Sequence, residues 1–435
     1  MNICVIGAGY VGLITALCFG KKENKIICVE KDLDKLKKLK IGEPTIFEEG
    51  LEELLKECLR LNSVEFTDDL QKGIKHSDII FIAVGTPTKE NWDVDTSQVE
   101  EVIDLISPHI DKYKVVVTKS TVPVGTQKYI KNRLLENHVK QEFFDVVSNP
   151  EFLREGKAIY DFFYGDKIVI GCDTDKAKVI MEKLYEPFKI KMVVTNPETA
   201  ELIKYTSNAY LSVKISFMNE IANLCNKVGA DIEVVAYALG LDKRISPLFL
   251  KAGIGYGGSC FPKDTKALVK ISESHHCDLK IVKTTVDVNE TQRVLPVRML
   301  REYYKELKGK TVAILGLTFK PDTDDIREAP SLYIIKKLLM HKVEIKAYDP
   351  MVSKEIKNIF PDITYCEDMY QCIEHCDAMI ICTEWSEFYN IDLNKARELM
   401  KESVIIDGRN VLDINKVKEA NILAYYSMGK GNIKK

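Results

Sequence analysis

The fold of this chain is indicated near its N-terminus, where residues 3–20 read ICVIGAGYVGLITALCFG. A short apolar strand leads into three glycines spaced as G-x-G-x-x-G, and residues able to form a helix follow. Gly7 allows a tight turn, Gly9 lets backbone approach a pyrophosphate, and Gly12 allows close packing of helix on strand. The stretch therefore predicts a dinucleotide-binding Rossmann unit.

A carboxylate follows the next predicted strand. The apolar run 26–29 ends at Glu30, where an acidic side chain of a Rossmann domain binds the adenosine ribose. Its charge would repel the 2′-phosphate of NADP, so NAD is the expected cofactor. Thr86 and Thr121 follow two later strands and are candidate cofactor contacts, although each also fits an ordinary turn before a proline.

The strand-and-helix pattern returns in the last third of the chain. Predicted strands at 3–6, 26–29, 78–84 and 114–118 have counterparts at 311–315, 343–348, 375–382 and 403–406. Residues 375–382 (HCDAMIIC) echo residues 76–83 (HSDIIFIA). A repeat of this length predicts two Rossmann-like, doubly wound domains on one chain.

A long helix is predicted between the two repeats. Asn196 suits an N-cap and Pro197 suits the first helical position. Apolar residues then recur at helical spacing to about residue 228, which indicates a spine between domains or a dimer interface; two helices broken near Ser212 are the alternative. We expect an α/β protein with domains at 1–196, 197–300 and 301–435, in which a long central helix joins the Rossmann-like domains.

Composition is typical of a soluble globular protein. The 435 residues are 46% hydrophobic and 29% charged, with a net charge of −3, which favours neither nucleic acid nor a membrane as partner. No targeting segment is evident, so a cytoplasmic location with reduced thiols is expected for the twelve cysteines. Cys372, His375 and Cys376 lie close together, but buried thiols are expected there and no metal site is predicted.

The segment that suggests chemistry is 253–264, which reads GIGYGGSCFPKD. Four glycines place bare backbone beside Cys260, while Lys263 and Asp264 supply charge. A cysteine in such a loop is a candidate nucleophile. Together with a dinucleotide site, it predicts oxidation of an alcohol through an aldehyde, a thiohemiacetal and a thioester.

This chemistry needs an oxyanion stabiliser and a base for water. Lys204 and Asn208 lie one helical turn apart in an apolar stretch and are candidates for the first task. Glu151 and Glu155 follow the strand-like run 144–147 and are candidates for the second. By pattern alone, these two carboxylates are typical of the start of a helix.

Taken in chain order, these motifs resemble the UDP-glucose 6-dehydrogenases of the UDP-glucose/GDP-mannose dehydrogenase family. The resemblance rests on residues 7–12, 120–125, 149–156, Lys204 with Asn208, 257–264 and 316–327. It implies an NAD-dependent, two-step oxidation of UDP-glucose to UDP-glucuronate in nucleotide sugar metabolism, which serves polysaccharide biosynthesis. It also implies a homodimer that associates through the central helix.

The resemblance further implies roles for the matched residues. Catalytic roles fall to Cys260 as nucleophile, Lys204 and Asn208 on oxyanions, Asp264 and Thr121 on a water, and Glu155 and Glu151 at hydrolysis. Cofactor contacts are implied for Gly7, Gly9, Tyr10, Val11, Gly12, Glu30, Lys35, Thr86, Thr121, Glu155, Lys263 and Arg327. Substrate contacts are implied for Phe152, Leu153, Lys204, Asn208, Arg244, Phe249, Leu250, Lys251, Gly257, Phe319, Lys320 and Arg409, with Arg244 reaching a neighbouring subunit. The general base of each step stays open.

Two positions beside the cysteine bear on the sugar. The related N-acetylmannosamine enzymes carry His where this chain has Ser259, and GDP-mannose enzymes more often carry Leu where it has Phe261. Glucose is therefore expected, with GDP-mannose or a UDP-N-acetylhexosamine as the alternative substrate. A non-catalytic NAD-binding protein is a remote alternative, because it would not need the cysteine, lysine and carboxylates at this spacing.

Overall fold

The computed structural model describes residues 1–351 and 354–435. Its contacts divide the chain into two compact units. The first contains Met1–Ser207 and Glu273–His275, and the second contains Asn208–Ser272 and His276–Lys435.

The first unit is built on an eight-stranded sheet with the order β3-β2-β1-β4-β5-β6-β7-β8. Its strands are β1 (Asn2–Ile6), β2 (Lys25–Val29), β3 (Val64–Thr67), β4 (Ile79–Ile82), β5 (Lys114–Thr118), β6 (Phe144–Ser148), β7 (Ile168–Cys172) and β8 (Met192–Thr195). Strands β1 to β6 are parallel, and β7 pairs antiparallel with β6. The runs are apolar without alternation because both faces of the sheet are covered: Ile3 and Val5 enter one core, whereas Cys4 and Ile6 enter the other.

Helices of this unit connect the strands. They are α1 (Tyr10–Lys21), α2 (Leu33–Lys40), α3 (Leu51–Arg60), α4 (Leu70–Lys75), α5 (Ser97–Ile106), α6 (Thr126–Glu136), α7 (Ala158–Tyr164) and α8 (Asp175–Tyr185). The apolar pattern of the sequence identifies β1, β2, β4, β5 and β6 but not β3, β7 and β8. The short strand β3 contains the exposed Glu65 and β8 is only partly buried, so neither is a clear apolar run, whereas β7 is as apolar as the identified strands and was missed.

The predicted long helix is α9, which runs unbroken over Pro197–Val228. The side chain of Asn196 accepts a hydrogen bond from the N–H of Thr199 at 2.9 Å, which confirms the N-cap. The Ser212 hydroxyl donates to the carbonyl of Asn208 at 2.8 Å inside the helix. The alternative of two helices broken near Ser212 is therefore wrong, because the serine hydroxyl is satisfied without interrupting the backbone pattern.

The second unit begins within α9, at Asn208, and continues after that helix with four helices and a seven-stranded sheet. The helices are α10 (Ile232–Leu241), α11 (Phe261–Ser274), α12 (Lys280–Arg293) and α13 (Leu295–Tyr304). The sheet has the order β11-β10-β9-β12-β13-β14-β15 and consists of β9 (Thr311–Leu315), β10 (Glu344–Tyr348), β11 (Thr364–Tyr365), β12 (Ala378–Ile381), β13 (Val404–Asp407), β14 (Ala424–Ser427) and β15 (Ile433–Lys434). Its remaining helices are α14 (Pro330–Met340), α15 (Lys354–Ile359), α16 (Met369–Ile373), α17 (Leu393–Leu399) and α18 (Ile414–Glu419).

The two sheets share one topology, which confirms the predicted pair of Rossmann-like folds. In each, the first strand lies between the second and the fourth, as in a doubly wound fold. The likeness extends to a carboxylate after the second strand. Glu30 accepts a hydrogen bond from the N–H of Ala8 at 3.0 Å, and Asp349 accepts one from the N–H of Leu317 at 2.6 Å.

Cys372 and Cys376 are buried in an apolar cluster of the second unit, as predicted, whereas the side chain of His375 is 85% exposed. Within the described parts of the chain, no helix is both long and apolar enough to cross a membrane.

Candidate active site

The glycine turn of the first unit has the geometry that the sequence pattern predicts. Gly7 has a φ of +96°, and a Cβ atom there would lie 2.8 Å from the carbonyl oxygen of Ala83. A Cβ atom at Gly12 would lie 1.9 Å from the Gly7 oxygen, whereas one at Gly9 would meet no atom within 4 Å. Gly9 thus leaves open space at the N-terminus of α1, where backbone N–H groups can bind an anion.

Other predicted cofactor residues of this unit lie on the segments that follow β2, β4 and β5. The Glu30 carboxylate is buried and accepts from the N–H of Ala8 and of Asp32. Lys35 lies in the first turn of α2, five positions after Glu30. The Thr86 hydroxyl donates to the carbonyl of Thr121 at 2.8 Å, so these two residues join the loops that follow β4 and β5.

A buried ion pair joins two predicted catalytic residues of the first unit. Lys204 Nζ lies 2.7 Å from Glu151 Oε1, and the two residues are 3% and 6% exposed. Glu151 also accepts from the N–H of Leu153 at 2.6 Å, and Lys204 Nζ lies 5.5 Å from the centre of the Phe152 ring. Burial acts to raise the pKa of Glu151, but Lys204 and the Leu153 N–H outweigh it and hold the pKa below its ordinary value.

Residues 149–156 do not begin a helix, because α7 starts only at Ala158. The reading of this segment as a helix start is therefore wrong. Glu151 is directed to Lys204 instead of capping a helix. Tertiary pairing with α9 decides the conformation here, and the local pattern does not contain that information.

A second buried lysine lies beside this pair and was not identified from sequence. Lys119 Nζ donates to Asn149 Oδ1 at 3.1 Å and to the Tyr185 hydroxyl at 3.3 Å. Burial lowers its pKa to about 7; Glu151 acts to raise that pKa and Lys204 to lower it. In the sequence, the only indication that Lys119 belongs to the site is its position next to Ser120 and Thr121.

A second buried carboxylate was also missed. Glu201, one turn before Lys204 on α9, is 3% exposed. It accepts from the N–H of Gly125 at 2.6 Å, the N–H of Gln127 at 2.9 Å and the Ser148 hydroxyl at 3.1 Å. Burial raises its pKa, and the donors oppose that shift. Glu201 thereby fastens the loop after Thr121 and the end of β6 to the helix that carries Lys204.

In the second unit, the glycine loop before Cys260 packs tightly on the segment that follows β9. A Cβ atom at Gly257 would lie 2.3 Å from the Glu328 oxygen, and one at Gly258 would lie 2.8 Å from the ring of Phe319. The N–H of Gly258 donates to the carbonyl of Arg327 at 2.8 Å. This packing presents Cys260, which is half-buried, directly before the first residue of α11.

The same unit brings three predicted catalytic or cofactor residues together. Asn208 Nδ2 donates to Asp264 Oδ2 at 2.6 Å, and Lys263 forms an ion pair with the other oxygen of Asp264. Asp264 is fully buried. These contacts connect the start of α11, next to the cysteine, with the turn of α9 that follows Lys204.

Arg409 binds the glycine loop from the second sheet. Its Nη1 donates to the carbonyl of Gly255 at 3.1 Å and its Nε donates to the carbonyl of Cys382 at 2.8 Å. A Cβ atom at Gly253 would lie 2.9 Å from Arg409 Nη1. The guanidinium therefore fixes this loop where it approaches Phe319.

The other predicted substrate and cofactor residues of the second unit occupy varied surroundings. Phe249 lies 6.1 Å from Phe261 between ring centres, while Leu250 is buried and Lys251 is exposed. Lys320 Nζ lies 5.5 Å from the Phe319 ring centre, and Arg327 is paired with Asp325. Arg244 pairs with Asp242 and has a side chain that is 89% exposed.

Known proteins match the chain along almost its whole length. Domain signatures of the UDP-glucose/GDP-mannose dehydrogenase family match as the NAD binding domain over residues 1–189, the central domain over 198–291 and the UDP binding domain over 313–414. The chain belongs to the UDP-glucose/GDP-mannose dehydrogenase family. The first Rossmann-like unit of this family member is accordingly the NAD-binding one, and the region that matches the UDP binding domain contains most of β9 and the strands β10 to β13 of the second sheet.

Individual relatives agree with the family assignment. The UDP-glucose 6-dehydrogenase TuaD of Bacillus subtilis is 44% identical over 430 residues, which cover 99% of this chain and 93% of TuaD. A UDP-glucose dehydrogenase structure from Pyrobaculum islandicum superposes with a TM-score of 0.92 at 35% identity, covering 98% of this chain and 97% of that one. A UDP-D-ManNAc dehydrogenase from Pyrococcus horikoshii gives 0.88 at 27% identity over 99% of both chains.

Proposed function

We propose that this family member is an NAD-dependent UDP-glucose 6-dehydrogenase that converts UDP-glucose to UDP-glucuronate in the cytoplasm. The observation that carries the proposal is a half-buried cysteine, Cys260, in a glycine loop fixed by Phe319 and Arg409, on a chain that also has an NAD-binding glycine turn. An NAD site alone would serve a single oxidation. The added nucleophile allows the oxidation to continue to a carboxylate.

The reaction balances with two NAD⁺ and one water for each sugar. The C6 alcohol gives a hydride to the first NAD⁺ and a proton to a base, which forms an aldehyde. The Cys260 thiolate adds to C6, and the thiohemiacetal gives a second hydride to a second NAD⁺, which forms a thioester. Water then cleaves the carbon–sulfur bond, so that the products are the carboxylate, two NADH and three protons.

The residues have distinct tasks in this proposal. Lys204 and Asn208 stabilise negative charge on the C6 oxygen, since they occupy successive turns of α9. Asp264 and Thr121 order the water that accepts or delivers protons. Glu155 assists hydrolysis of the thioester, and Glu151 holds Lys204 in its buried position.

The ligand contacts inferred from the family complete the assignment. NAD contacts are Gly7, Gly9, Tyr10, Val11, Gly12, Glu30, Lys35, Thr86, Thr121, Glu155, Lys263 and Arg327. UDP-glucose contacts are Phe152, Leu153, Lys204, Asn208, Arg244, Phe249, Leu250, Lys251, Gly257, Phe319, Lys320 and Arg409. In the same proposal, residues 1–196 bind NAD, 197–300 form the dimer and part of the active site, and 301–435 bind the UDP-sugar.

Glucose is favoured as the sugar over mannose and the N-acetylhexosamines. Ser259 and Phe261 flank the cysteine where the related enzymes more often have His or Leu. The 44% identity to a UDP-glucose 6-dehydrogenase exceeds the 27% identity to the UDP-D-ManNAc enzyme, which supports the same choice.

A homodimer is supported by an apolar stripe on the second unit. Tyr210, Phe217 and Leu224 recur every seven residues along α9, and at least half of each side chain is exposed. A stripe of this kind is typical of a helix interface. Phe217→Glu should therefore produce monomers in sedimentation experiments, whereas the exposed control Glu220→Lys should stay dimeric. A dimeric Phe217→Glu variant would exclude this stripe as the interface.

The central test counts NADH against sugar. Limiting UDP-glucose with excess NAD should give two NADH per sugar and no free aldehyde, whereas Cys260→Ser should bind both ligands and fail to complete the oxidation. GDP-mannose and UDP-N-acetylmannosamine are run in parallel. A ratio of one would remove the thioester mechanism, and a clear preference for another sugar would overturn the choice of glucose.

A further inference from the structure

A buried carboxylate in the first unit has no part in the proposed chemistry. Glu48 lies between α2 and α3 and is 7% exposed. Its Oε2 accepts from the Tyr10 hydroxyl and, at 2.7 Å, from the N–H of Gly156, while its Oε1 accepts from the N–H of Ile159 at 3.3 Å. The Gly156 N–H also lies 2.8 Å from the Tyr10 oxygen. One carboxylate thus joins the cofactor turn to the end of the segment that carries Glu151 and Glu155.

That segment is held at points on both sides of Glu155. At one side, the backbone and guanidinium of Arg154 bind Asp161 at 2.6 to 2.9 Å. At the other side, Gly156 binds Glu48 and Tyr10. No helix or strand contains Glu155, since α7 begins at Ala158. These two anchors therefore help to fix its position.

The hydrogen bond between Tyr10 and Glu48 has one direction, in which the phenol donates to the carboxylate. Burial raises the pKa of Tyr10, and the hydrogen bond to Glu48 and the charge of Glu155 raise it further. The phenol consequently stays protonated near neutral pH and donates to Glu48. The influence of Glu155 on Tyr10 also places its carboxylate in the electrostatic surroundings of this cluster.

We propose that Glu48 is a positioning residue that holds Glu155 in its productive place through Gly156 and Tyr10. The inference rests on the proposed function, in which Glu155 assists hydrolysis of the thioester on Cys260. Glu48 itself is fully occupied by the protein and does not touch the reacting atoms. Its loss should therefore reproduce, in weaker form, the loss of Glu155.

The test compares Glu48→Gln, Glu155→Gln and the double variant in the full-length enzyme with UDP-glucose and NAD. Glutamine keeps the shape of Glu48 but cannot accept from Tyr10 and Gly156 with the same strength. Steady-state turnover of Glu48→Gln should fall about 10- to 100-fold, as expected when a catalytic group is displaced by about 1 Å. Acid-quenched enzyme should then show the acyl adduct on Cys260 by intact mass, which a purely structural defect would not produce.

Epistasis provides the second measurement. The double variant should turn over within about twofold of Glu155→Gln alone, because Glu48 has nothing left to position. Glu49→Gln makes the same chemical change on the exposed neighbour of Glu48 and should behave like the wild type. If Glu48→Gln does not fold, the Tyr10→Phe variant tests the inference instead. It removes one of the two donors at Glu48 Oε2, and it should accumulate the acyl adduct to a smaller extent than Glu155→Gln does.

The outcomes separate the inference from the proposed function. Normal turnover of Glu155→Gln would remove its role in hydrolysis, and the inference with it. Two results would overturn the inference alone while Glu155→Gln is impaired. One is wild-type turnover of Glu48→Gln, and the other is a double variant whose loss of turnover equals the product of the two single losses. Absence of adduct from both Tyr10→Phe and Glu48→Gln, while Glu155→Gln accumulates it, would do the same.

Discussion

The buried pair of Lys204 and Glu151 gives the most quantitative prediction. Lys204→Met keeps an apolar stem of similar length but leaves the Glu151 carboxylate buried beside the missing charge. Their side chains are 4% and 7% exposed and 2.7 Å apart, so solvent screens the pair little. Breaking such a pair costs about 3–5 kcal/mol. Lys119 also acts electrostatically on Glu151 and can compensate in part, which places the expected loss near 3 kcal/mol.

Each kcal/mol shifts the Tm of a unit of this size by about 2–4 °C, so Lys204→Met should melt about 6–12 °C lower. The chain has two tryptophans, of which Trp92 lies in the first unit and Trp385 in the second. In a Trp385→Phe background, Trp92 fluorescence therefore follows urea or thermal unfolding of the unit that contains the pair.

Two comparisons make this prediction specific. Lys204→Met combined with Glu151→Leu should recover most of the lost stability, because an apolar pair of similar volume leaves no buried charge without its partner. Lys21→Met, which breaks the more exposed pair with Glu57 in the same unit, should cost less than about 1 kcal/mol. A loss below that value for Lys204→Met, or no recovery in the double variant, would refute the reasoning.

Three further predictions concern other charged groups of the first unit. Glu30 should make NAD at least about 100-fold more efficient than NADP, because a like charge near the 2′-phosphate costs several kcal/mol; comparable kcat/KM values would show that Glu30 does not face the ribose. Lys119 has a folded-state pKa of about 7 against an ordinary 10.5, so this lysine binds more protons in the unfolded chain between these values and its own contribution to stability should rise with pH there. The free energy of unfolding of the wild type minus that of Lys119→Met, measured in urea at several pH values, should therefore rise over this range, and a difference independent of pH would contradict it. Glu201→Gln should lose about 2 kcal/mol, because its amide would face N–H donors; equal melting of this variant and the exposed control Glu198→Gln would argue against the anchor.

Much of the fold follows from local sequence. The strands of both sheets are apolar runs because helices cover both faces, and the glycine turn is specified by residues that touch one another within a few positions. The 32 residues of α9 carry their own N-cap and helical spacing. These features depend on neighbours in sequence, so they could be predicted before any tertiary contact was known.

The residues that hold the candidate site in place could only be identified from tertiary structure. Glu48 meets Gly156 across 108 positions of sequence, and Lys119 meets Tyr185 across 66. Glu201 and Lys119 look like ordinary charged residues in the sequence, and only packing shows that each is buried with its partners. A buried charge persists only where distant groups satisfy it, and which groups those are is decided when the elements come together. The sequence thus determined the Rossmann repeat, the central helix and the family of the chain. Only the folded structure decided which buried charged residues hold the candidate site residues in position.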